Sequence, residues 1–304
     1  MLKCRGGTWY SAAAHAVVAS ARLDDPVDAI RALAQGLVSQ AEVRQPPTDL
    51  DMLGSFRGVV EVVYGQLPNW GMLEWVRDRG YRILLNDEQG KGRARFSHAH
   101  EISHTLIPTH GRAPKNRQDR ETGMYGMEAE EEYLCDIGAS ELLMPTSILI
   151  PFIATRPAAL ETVKGIADTF AVSLEAAGRR LVECQESPCA IIFWEEKLKP
   201  AQEADLRNKT ALPGLEGHDP QPRLRVRFGI CSPAMRKHYF PPSKSIEDDS
   251  PVRGCLDSDA VVRAMCHLPT GRGAIPFRTE SVSAPYRAGS TLVRRVITVA
   301  HPMA

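Results

Sequence analysis

The sequence lacks long hydrophobic runs. Its longest uncharged apolar stretches, such as Ile148 to Ala154, are far shorter than the roughly 20 residues that a membrane helix needs. The chain does not open with a basic region followed by an apolar one, so we expect no export signal and no membrane partner. With 43% hydrophobic and 24% charged residues over 304 positions, the composition excludes wholesale disorder and fibrous repeats. This length predicts one large domain or a few small ones.

Cysteines are few and show no pairing pattern. Seven occur, which is an odd number, and no two of them are arranged as Cys-X-X-Cys. A disulfide framework uses an even, regularly spaced set, so this distribution predicts reduced thiols in a cytoplasmic protein.

Net charge is also absent, because 37 Lys and Arg balance 37 Asp and Glu. The balance is not uniform along the chain. Residues 223–304 hold 13 basic and 6 acidic residues, whereas residues 121–141 hold seven acidic residues and no basic ones. Charge runs are usually solvated faces, but this segregation indicates that different parts of the chain have different roles.

The order of apolar periodicity and chain breakers predicts an α+β fold. Three short β-branched or aromatic runs between residues 59 and 85, punctuated by turn residues, predict an antiparallel meander. Beyond Pro188 the pattern changes to strands. Helices are predicted at 94–106, 127–144, 160–170 and 173–184, and later strands at 189–194, 224–230, 274–279 and 291–299.

The first of the long helices carries a metal-binding pattern, because residues 100–104 read His-Glu-Ile-Ser-His. Positions i and i+4 share a helix face, so His100 and His104 can both direct a ring nitrogen at one ion. Zinc accepts imidazole, and a catalytic site needs one more ligand and an open position for water, which Glu101 can reach as a general base. An ordinary surface helix is the alternative. His98, two residues earlier, should point off this face and is predicted to be structural.

The second long helix can provide the remaining ligand. Glu132 and Asp136 are four residues apart, so one carboxylate can bind the ion while the other orients a ligand imidazole from behind. Glu130, Glu131 and Glu132 form a run, however, and spacing alone does not choose the ligand among them. A solvated acidic surface is the alternative interpretation of the run.

Two segments resemble a known family. Residues 95–104 resemble the zinc helix of the ImmA/IrrE family of bacterial zinc metallopeptidases, and residues 132–145, which end in Glu-Leu-Leu-Met-Pro, resemble its second helix. The resemblance covers residues 45–145 and implies a zincin-like domain of helices and a small antiparallel sheet. It implies zinc, with manganese as the alternative metal, and the following roles: His100, His104 and Glu132 as ligands, Glu101 as catalytic acid and base, and Asp136 behind a ligand.

The resemblance extends over the rest of the chain. Residues 172–181 are similar to a small module of helix-turn-helix type that follows the peptidase in relatives. The strand-rich end resembles the GAF-like sensory domain of the IrrE branch and of the CapP peptidases, which are linked to DNA damage and phage defence. These likenesses imply a metallopeptidase domain at 1–145, a helical module at 146–187 and a C-terminal α/β GAF-like domain at 188–304.

The family implies a narrow endopeptidase. Its substrate would be a partner helix-turn-helix repressor, whose cleavage derepresses stress, DNA-damage or phage-defence genes. Tyr125, His110 and Tyr133 are candidates for stabilising the oxyanion, and the sequence does not rank them. The alternatives are a non-proteolytic DNA-binding regulator, which the complete metal motif disfavours, and a toxin–antitoxin component.

Two further features point to regulation. The thiolate of Cys4 can occupy the water position on zinc, although an idle cysteine is the alternative. Arginines alternate at 223, 225 and 227, so on a strand they would share one face, and further cations lie beside aromatic residues at 236–240. Single-stranded DNA is therefore a candidate activator, and a solvated basic sheet is the alternative. The predicted contacts are Arg223, Arg225, Arg227, Arg236 and Lys237.

Overall fold

The computed structural model describes residues 2–4, 7–108, 115–116, 127–209, 220–288 and 291–303. Helices and strands are mixed along the described chain, which confirms the predicted α+β class. The helices are α1 (Ala12–Ala21), α2 (Pro26–Gln40), α3 (Leu50–Phe56), α4 (Lys91–His104), α5 (Met127–Leu143), α6 (Thr146–Ile153), α7 (Leu160–Phe170), α8 (Leu174–Cys184), α9 (Pro200–Lys209) and α10 (Pro251–Gly254). The strands are β1 (Leu2–Cys4), β2 (Gly7–Trp9), β3 (Val59–Gly65), β4 (Gly71–Val76), β5 (Gly80–Asn86), β6 (Lys115–Asn116), β7 (Ala190–Lys197), β8 (Arg223–Cys231), β9 (Val262–Thr270), β10 (Gly273–Ser283), β11 (Tyr286–Ala288), β12 (Thr291–Val293) and β13 (Arg295–Pro302).

The chain divides into two compact units. The first comprises Met1–Thr155 with Gly165–Ala176, and the second comprises Arg156–Lys164 with Ala177–Ala304. The divisions fall inside α7 and α8, so each of these helices contributes residues to both units.

Helix α5 is the central helix of the first unit and packs against α1, α2 and α4. It packs tightly on α4 at a glycine, because a Cβ atom on Gly138 would lie 2.8 Å from the Oγ atom of Ser103. Helix α2 begins with Asp25 accepting hydrogen bonds from the backbone of the first turn and with Pro26 at the first helical position. The side chains between α2, α4 and α5 are buried, including Ile30, whose contact also limits position 138.

The sheet of the first unit corrects the expected antiparallel meander. Its strand order is β3-β5-β4-β6, in which β3 and β5 are parallel and β4 is antiparallel to β5. The stretch around Pro68 is therefore a connection across β5 and not a tight turn. Asn86 holds this connection, since its side-chain nitrogen donates to Leu67 O at 2.6 Å. Gly80 permits the parallel pairing, because a Cβ atom there would lie 2.4 Å from Gly58 O.

The glutamate of the Glu-Leu-Leu-Met-Pro segment joins α5 to α6. Glu141 is fully buried and accepts hydrogen bonds from the backbone nitrogen of Thr146 at 2.7 Å and from its hydroxyl at 2.9 Å. Gln35 on α2 donates to the same carboxylate at 3.3 Å. One buried acid therefore caps α6 and fixes both helices to α2.

The second unit is built on an antiparallel five-stranded sheet with the order β8-β7-β13-β10-β9. One face carries a core that includes Trp194, Phe240 and Phe277. Helix α8 also packs directly on β7, because a Cβ atom on Gly178 would lie 2.1 Å from Ile191 Cδ1. The single strand expected at 291–299 is two strands, β12 and β13, and the sequence pattern did not predict β9.

No single helix among the described residues is long and apolar enough to cross a membrane. The two helical segments Ala129–Leu143 and Thr146–Ile153 have the length and composition of a membrane span only when they are taken together, and the chain bends by 60° between them.

His98 is buried on the side of α4 that carries Arg95, and its Nε2 atom lies 4.0 Å from Asp51 Oδ1. Burial lowers the pKa of His98 from 6.5 to about 4, with a further lowering from Arg95 and opposition from Asp51. Between these values the unfolded chain binds a proton that the folded chain does not. Stability should therefore be fully present above pH 6.5 and fall as the pH drops toward 4.

We expect His98→Gln to reduce this pH dependence, because glutamine does not titrate. His98 accounts for a loss of up to about 3 kcal/mol on acidification. Urea unfolding of the metal-free wild type and variant between pH 4 and 7 measures the difference, and the titration of all other groups cancels. If the free energy of unfolding depends on pH in the same way in both proteins, His98 is not the cause of the pH dependence.

Candidate metal centre

Helices α4 and α5 each present a pair of side chains at i,i+4 spacing to the other. His100 and His104 on α4 are both 1% exposed. Across from them on α5, the side chains of Glu132 and Asp136 are 27% and 19% exposed. The structure thus brings together the four residues that the sequence singled out on these helix faces.

The Nε2 atoms of both histidines flank one carboxylate. His100 Nε2 lies 3.1 Å from Glu132 Oε2, and His104 Nε2 lies 3.5 Å from Glu132 Oε1. Burial alone would raise the pKa of Glu132, but the hydrogen bond with His100 and the charges of both imidazoles outweigh it, and the pKa lies below its ordinary value. The carboxylate is therefore in the ionised form that a metal ion binds.

Asp136 holds His100 from behind. Its Oδ1 atom lies 2.9 Å from His100 Nδ1, the ring nitrogen that faces away from Glu132. With a proton on Nδ1 donated to Asp136, Nε2 is the ring nitrogen that remains to bind an ion beside Glu132. The position of Asp136 agrees with the orienting role that its spacing suggested.

His104 has two neighbours at its own Nδ1 atom. Glu131 Oε1 lies 3.3 Å from this nitrogen, and Cys135 Sγ lies 3.3 Å from it. Cys135 is fully buried. Burial raises the pKa of the Cys135 thiol well above its ordinary value, and the nearby carboxylates, Glu132 first, raise it further.

The acidic run on α5 is not a solvated surface. Glu130 accepts hydrogen bonds from the backbone nitrogens of Tyr10 at 3.0 Å and Ser11 at 2.8 Å, at the start of α1. Glu131 contacts one imidazole and Glu132 contacts both. Three consecutive glutamates therefore contact different sets of residues, because each successive residue turns by about 100° around the helix.

Glu101 occupies a buried position at the edge of the sheet. Its side chain is 0% exposed, and a Cβ atom on Gly71 would lie 2.7 Å from Glu101 Oε1. Glycine at the first position of β4 thus leaves the space that this carboxylate fills. The sequence did not predict a role for Gly71, since a single glycine at a strand end is ordinarily a turn residue.

The donor set fits a metal ion such as zinc. Two imidazole nitrogens and a carboxylate converge, and the outer nitrogens of both rings have partners, as in zinc sites of the His-His-Glu type. The donor atoms of His100, His104 and Cys135 also lie within 4.8 Å of one another. We favour Glu132 over Cys135 as the third ligand, because Glu132 faces both Nε2 atoms whereas the sulfur lies behind His104.

The other predicted catalytic and switch residues have different outcomes. Tyr125 and His110 lie outside the described residues. Tyr133 is 42% exposed beside Glu132, and its ring centroid lies 6.1 Å from that of Trp9. Cys4 is in β1, where its backbone pairs with Gly7, and its side chain is outside the described part of the structure.

The predicted nucleic-acid contacts do not all lie at the surface. Arg225 is 1% exposed and donates to the carbonyls of Lys197 at 3.0 Å and Ser243 at 3.2 Å, so it is unavailable to a ligand. Arg223 pairs with Asp248, and Arg227 lies 3.3 Å from Glu195. A bulge in β8 also breaks the alternation that was expected to align the three arginines. Arg236 and Lys237 are exposed, next to Tyr239, which is 60% exposed.

Residues 60–182 match the family model of the IrrE N-terminal-like domain, which describes a peptidase family. This part of the chain is an IrrE N-terminal-like domain. The match includes α4 and α5 and confirms the family that their motifs resemble. A solved structure of a Mycobacterium tuberculosis transcriptional regulator is similar to the chain, with a TM-score of 0.53 and 12% identity over 90% of this chain and 76% of that one. This likeness shows a shared fold alone. No curated protein sequence matches the chain significantly.

Substitutions on α5 of the IrrE N-terminal-like domain should distinguish the two candidate third ligands. We expect Glu132→Ala to weaken zinc binding by more than about 100-fold. Removing a residue that binds the metal should reduce the affinity more than removing one that only hydrogen-bonds to a ligand. Cys135→Ala should change the affinity much less. Competition with a chromophoric chelator measures both constants. The opposite ranking would make Cys135 the ligand.

Proposed function

We propose that the chain is a zinc-dependent endopeptidase that cleaves a partner repressor and so derepresses stress, DNA-damage or phage-defence genes. One observation carries the catalytic part: two imidazole Nε2 atoms and the Glu132 carboxylate converge in a site where the buried Glu101 adjoins His100 on α4. The peptidase family of residues 60–182 supports the same chemistry. His100, His104 and Glu132 would hold the ion.

Glu101 would move the protons of the reaction. A bound zinc ion supplies Lewis-acid polarisation of the scissile carbonyl. Glu101 accepts a proton from the attacking water at one carboxylate oxygen and delivers it to the leaving amine nitrogen. The close contact with Gly71 restricts where this carboxylate can lie. Asp136 keeps the His100 ring in one orientation throughout.

The substrate would be a helix-turn-helix repressor encoded beside this chain, and cleavage would occur in the cytoplasm. This assignment rests on the family resemblance of the two motif helices. The similar Mycobacterium protein is a transcriptional regulator, and a role in gene regulation for this chain agrees with that likeness. In this account a peptidase domain at 1–145 and a helical module at 146–187 precede a GAF-like sensor at 188–304.

Single-stranded DNA would act through the second unit. The exposed cations Arg236 and Lys237 lie beside the exposed ring of Tyr239, which is the combination that binds phosphates and stacks on bases. Arg223 and Arg227 would contribute less, since carboxylates already pair with them. Binding there is the input that would raise peptidase activity.

A non-proteolytic DNA-binding regulator is a weaker candidate. A helix that reads DNA needs an exposed face, but every residue of Leu174–Cys184 is buried or only partly exposed. Gly178 is packed against Ile191 and cannot face a ligand. A toxin–antitoxin component would use the same chemistry in another genetic context, and the neighbouring gene distinguishes it.

Glu101→Gln should abolish cleavage while zinc binding is retained, because the amide cannot accept the proton from water. We expect a rate reduction of at least about 100-fold. The full chain is incubated with the purified neighbouring repressor and zinc, and the products are followed by gel and mass spectrometry. Glu130→Gln makes the same charge change outside the site and should cleave normally. Cleavage by Glu101→Gln at the wild-type rate contradicts the mechanism.

Replacing Arg236 and Lys237 together with glutamate should weaken binding of a labelled single-stranded oligonucleotide. The dependence of log affinity on log salt should become shallower by about 0.7 for each phosphate that the protein no longer neutralises. Arg263→Glu is the control, because Arg263 is exposed elsewhere on β9. Wild-type binding that is insensitive to salt, or cleavage that the oligonucleotide does not stimulate, would contradict a DNA input.

A further inference from the structure

The two histidines of α4 are held from behind by different groups. Asp136 lies behind His100. Behind His104 the structure places two groups, the carboxylate of Glu131 and the thiol of Cys135, each 3.3 Å from Nδ1. No sequence feature assigned either of them to this ring.

Helix geometry explains why two groups meet there. Glu131 and Cys135 are four residues apart, so they form one column on α5, and Glu132 and Asp136 form the neighbouring column. The first column contacts the outer side of His104, and the second contacts His100. The arrangement repeats the i,i+4 spacing of the two histidines themselves.

A carboxylate is the better partner for this nitrogen. An imidazole that binds an ion through Nε2 carries its proton on Nδ1, and that proton requires an acceptor. An ionised carboxylate accepts a hydrogen bond strongly, whereas a thiol sulfur is a weak acceptor. The Glu131 side chain is only 13% exposed, so water competes little for the contact.

We propose that Glu131 is the positioning residue of His104, with the same relation to that ring as Asp136 has to His100. Glu131 accepts a hydrogen bond from the Nδ1–H group, fixes the tautomer and directs Nε2 toward Glu132. Cys135 fills the space beneath the ring. This inference rests on the proposed function, because it assumes that the site binds a metal ion.

Cobalt binding to the full chain tests this role, since the visible absorbance of Co²⁺ reports its coordination. We expect Glu131→Ala to weaken cobalt affinity about 10- to 100-fold. Glu131→Gln keeps a weaker acceptor and should lose less. In the zinc-loaded wild type, ¹⁵N–¹H spectra should show a protected Nδ1 proton on His104, and in Glu131→Ala this signal should broaden through exchange with water.

Two control variants make the outcome specific. Glu130→Gln alters the adjacent acid, which contacts Tyr10 and Ser11, and should leave cobalt affinity within about twofold of wild type. Cys135→Ala should likewise change it little. If Glu131→Ala does not fold, the isosteric Glu131→Gln replaces it. Its smaller loss of cobalt affinity and the Nδ1 proton signal of His104 then test the role.

These measurements distinguish failure of the proposed function from failure of the positioning role of Glu131. A wild type that binds no cobalt or zinc overturns the proposed function and this role with it. A wild type that binds metal while the Glu131 variants bind it equally well overturns only the positioning role. A loss in Cys135→Ala that exceeds the loss in Glu131→Ala assigns the role to the thiol instead.

Discussion

The site depends on the close packing of α4 against α5. A glycine at 138 brings the two helices together at Ser103, next to His104. This contact aligns the histidine pair of one helix with the acid-bearing columns of the other. A Cβ atom at position 138 would clash with Ser103. Glycine at 138 is therefore needed both for the packing of the two helices and for the alignment of the site residues that they carry.

The carboxylates between α4 and α5 need charge compensation, either from a bound cation or from protons. Glu131, Glu132 and Asp136 contact two buried imidazoles, and the buried Glu101 lies on the same helix as both. Withdrawing this many acids from water is costly unless opposite charge compensates them. A divalent cation held by His100, His104 and Glu132 would supply that charge, and the outer carboxylates would increase the basicity of the imidazole ligands. Metal binding should accordingly stabilise the interface as well as equip it for catalysis.

The sequence predicted the parts of the site that follow from local periodicity. Helical spacing alone was sufficient to pair His100 with His104 and Glu132 with Asp136. It could not identify the partner of His104, because that depends on the rotation of α5 about its own axis relative to α4. The burial of Glu141 as the cap of α6 is a similar case, since it depends on the packing of α2.

The sheets were less predictable for a related reason. Parallel pairing of β3 with β5 is a long-range choice that depends on the close contact at Gly80, and turn residues in the sequence do not reveal it. Arg225 illustrates the same limit. Alternation placed it on an exposed face, but its guanidinium is buried in the second unit, where it donates to the carbonyls of Lys197 and Ser243.

The central claim is that two histidines and a glutamate bind the ion. X-ray absorption at the zinc edge of the loaded chain tests it most directly, because the nearest shell distinguishes light ligands from sulfur. The account predicts only nitrogen and oxygen neighbours at about 2.0–2.2 Å. A sulfur neighbour at about 2.3 Å would contradict it and make Cys135 a ligand.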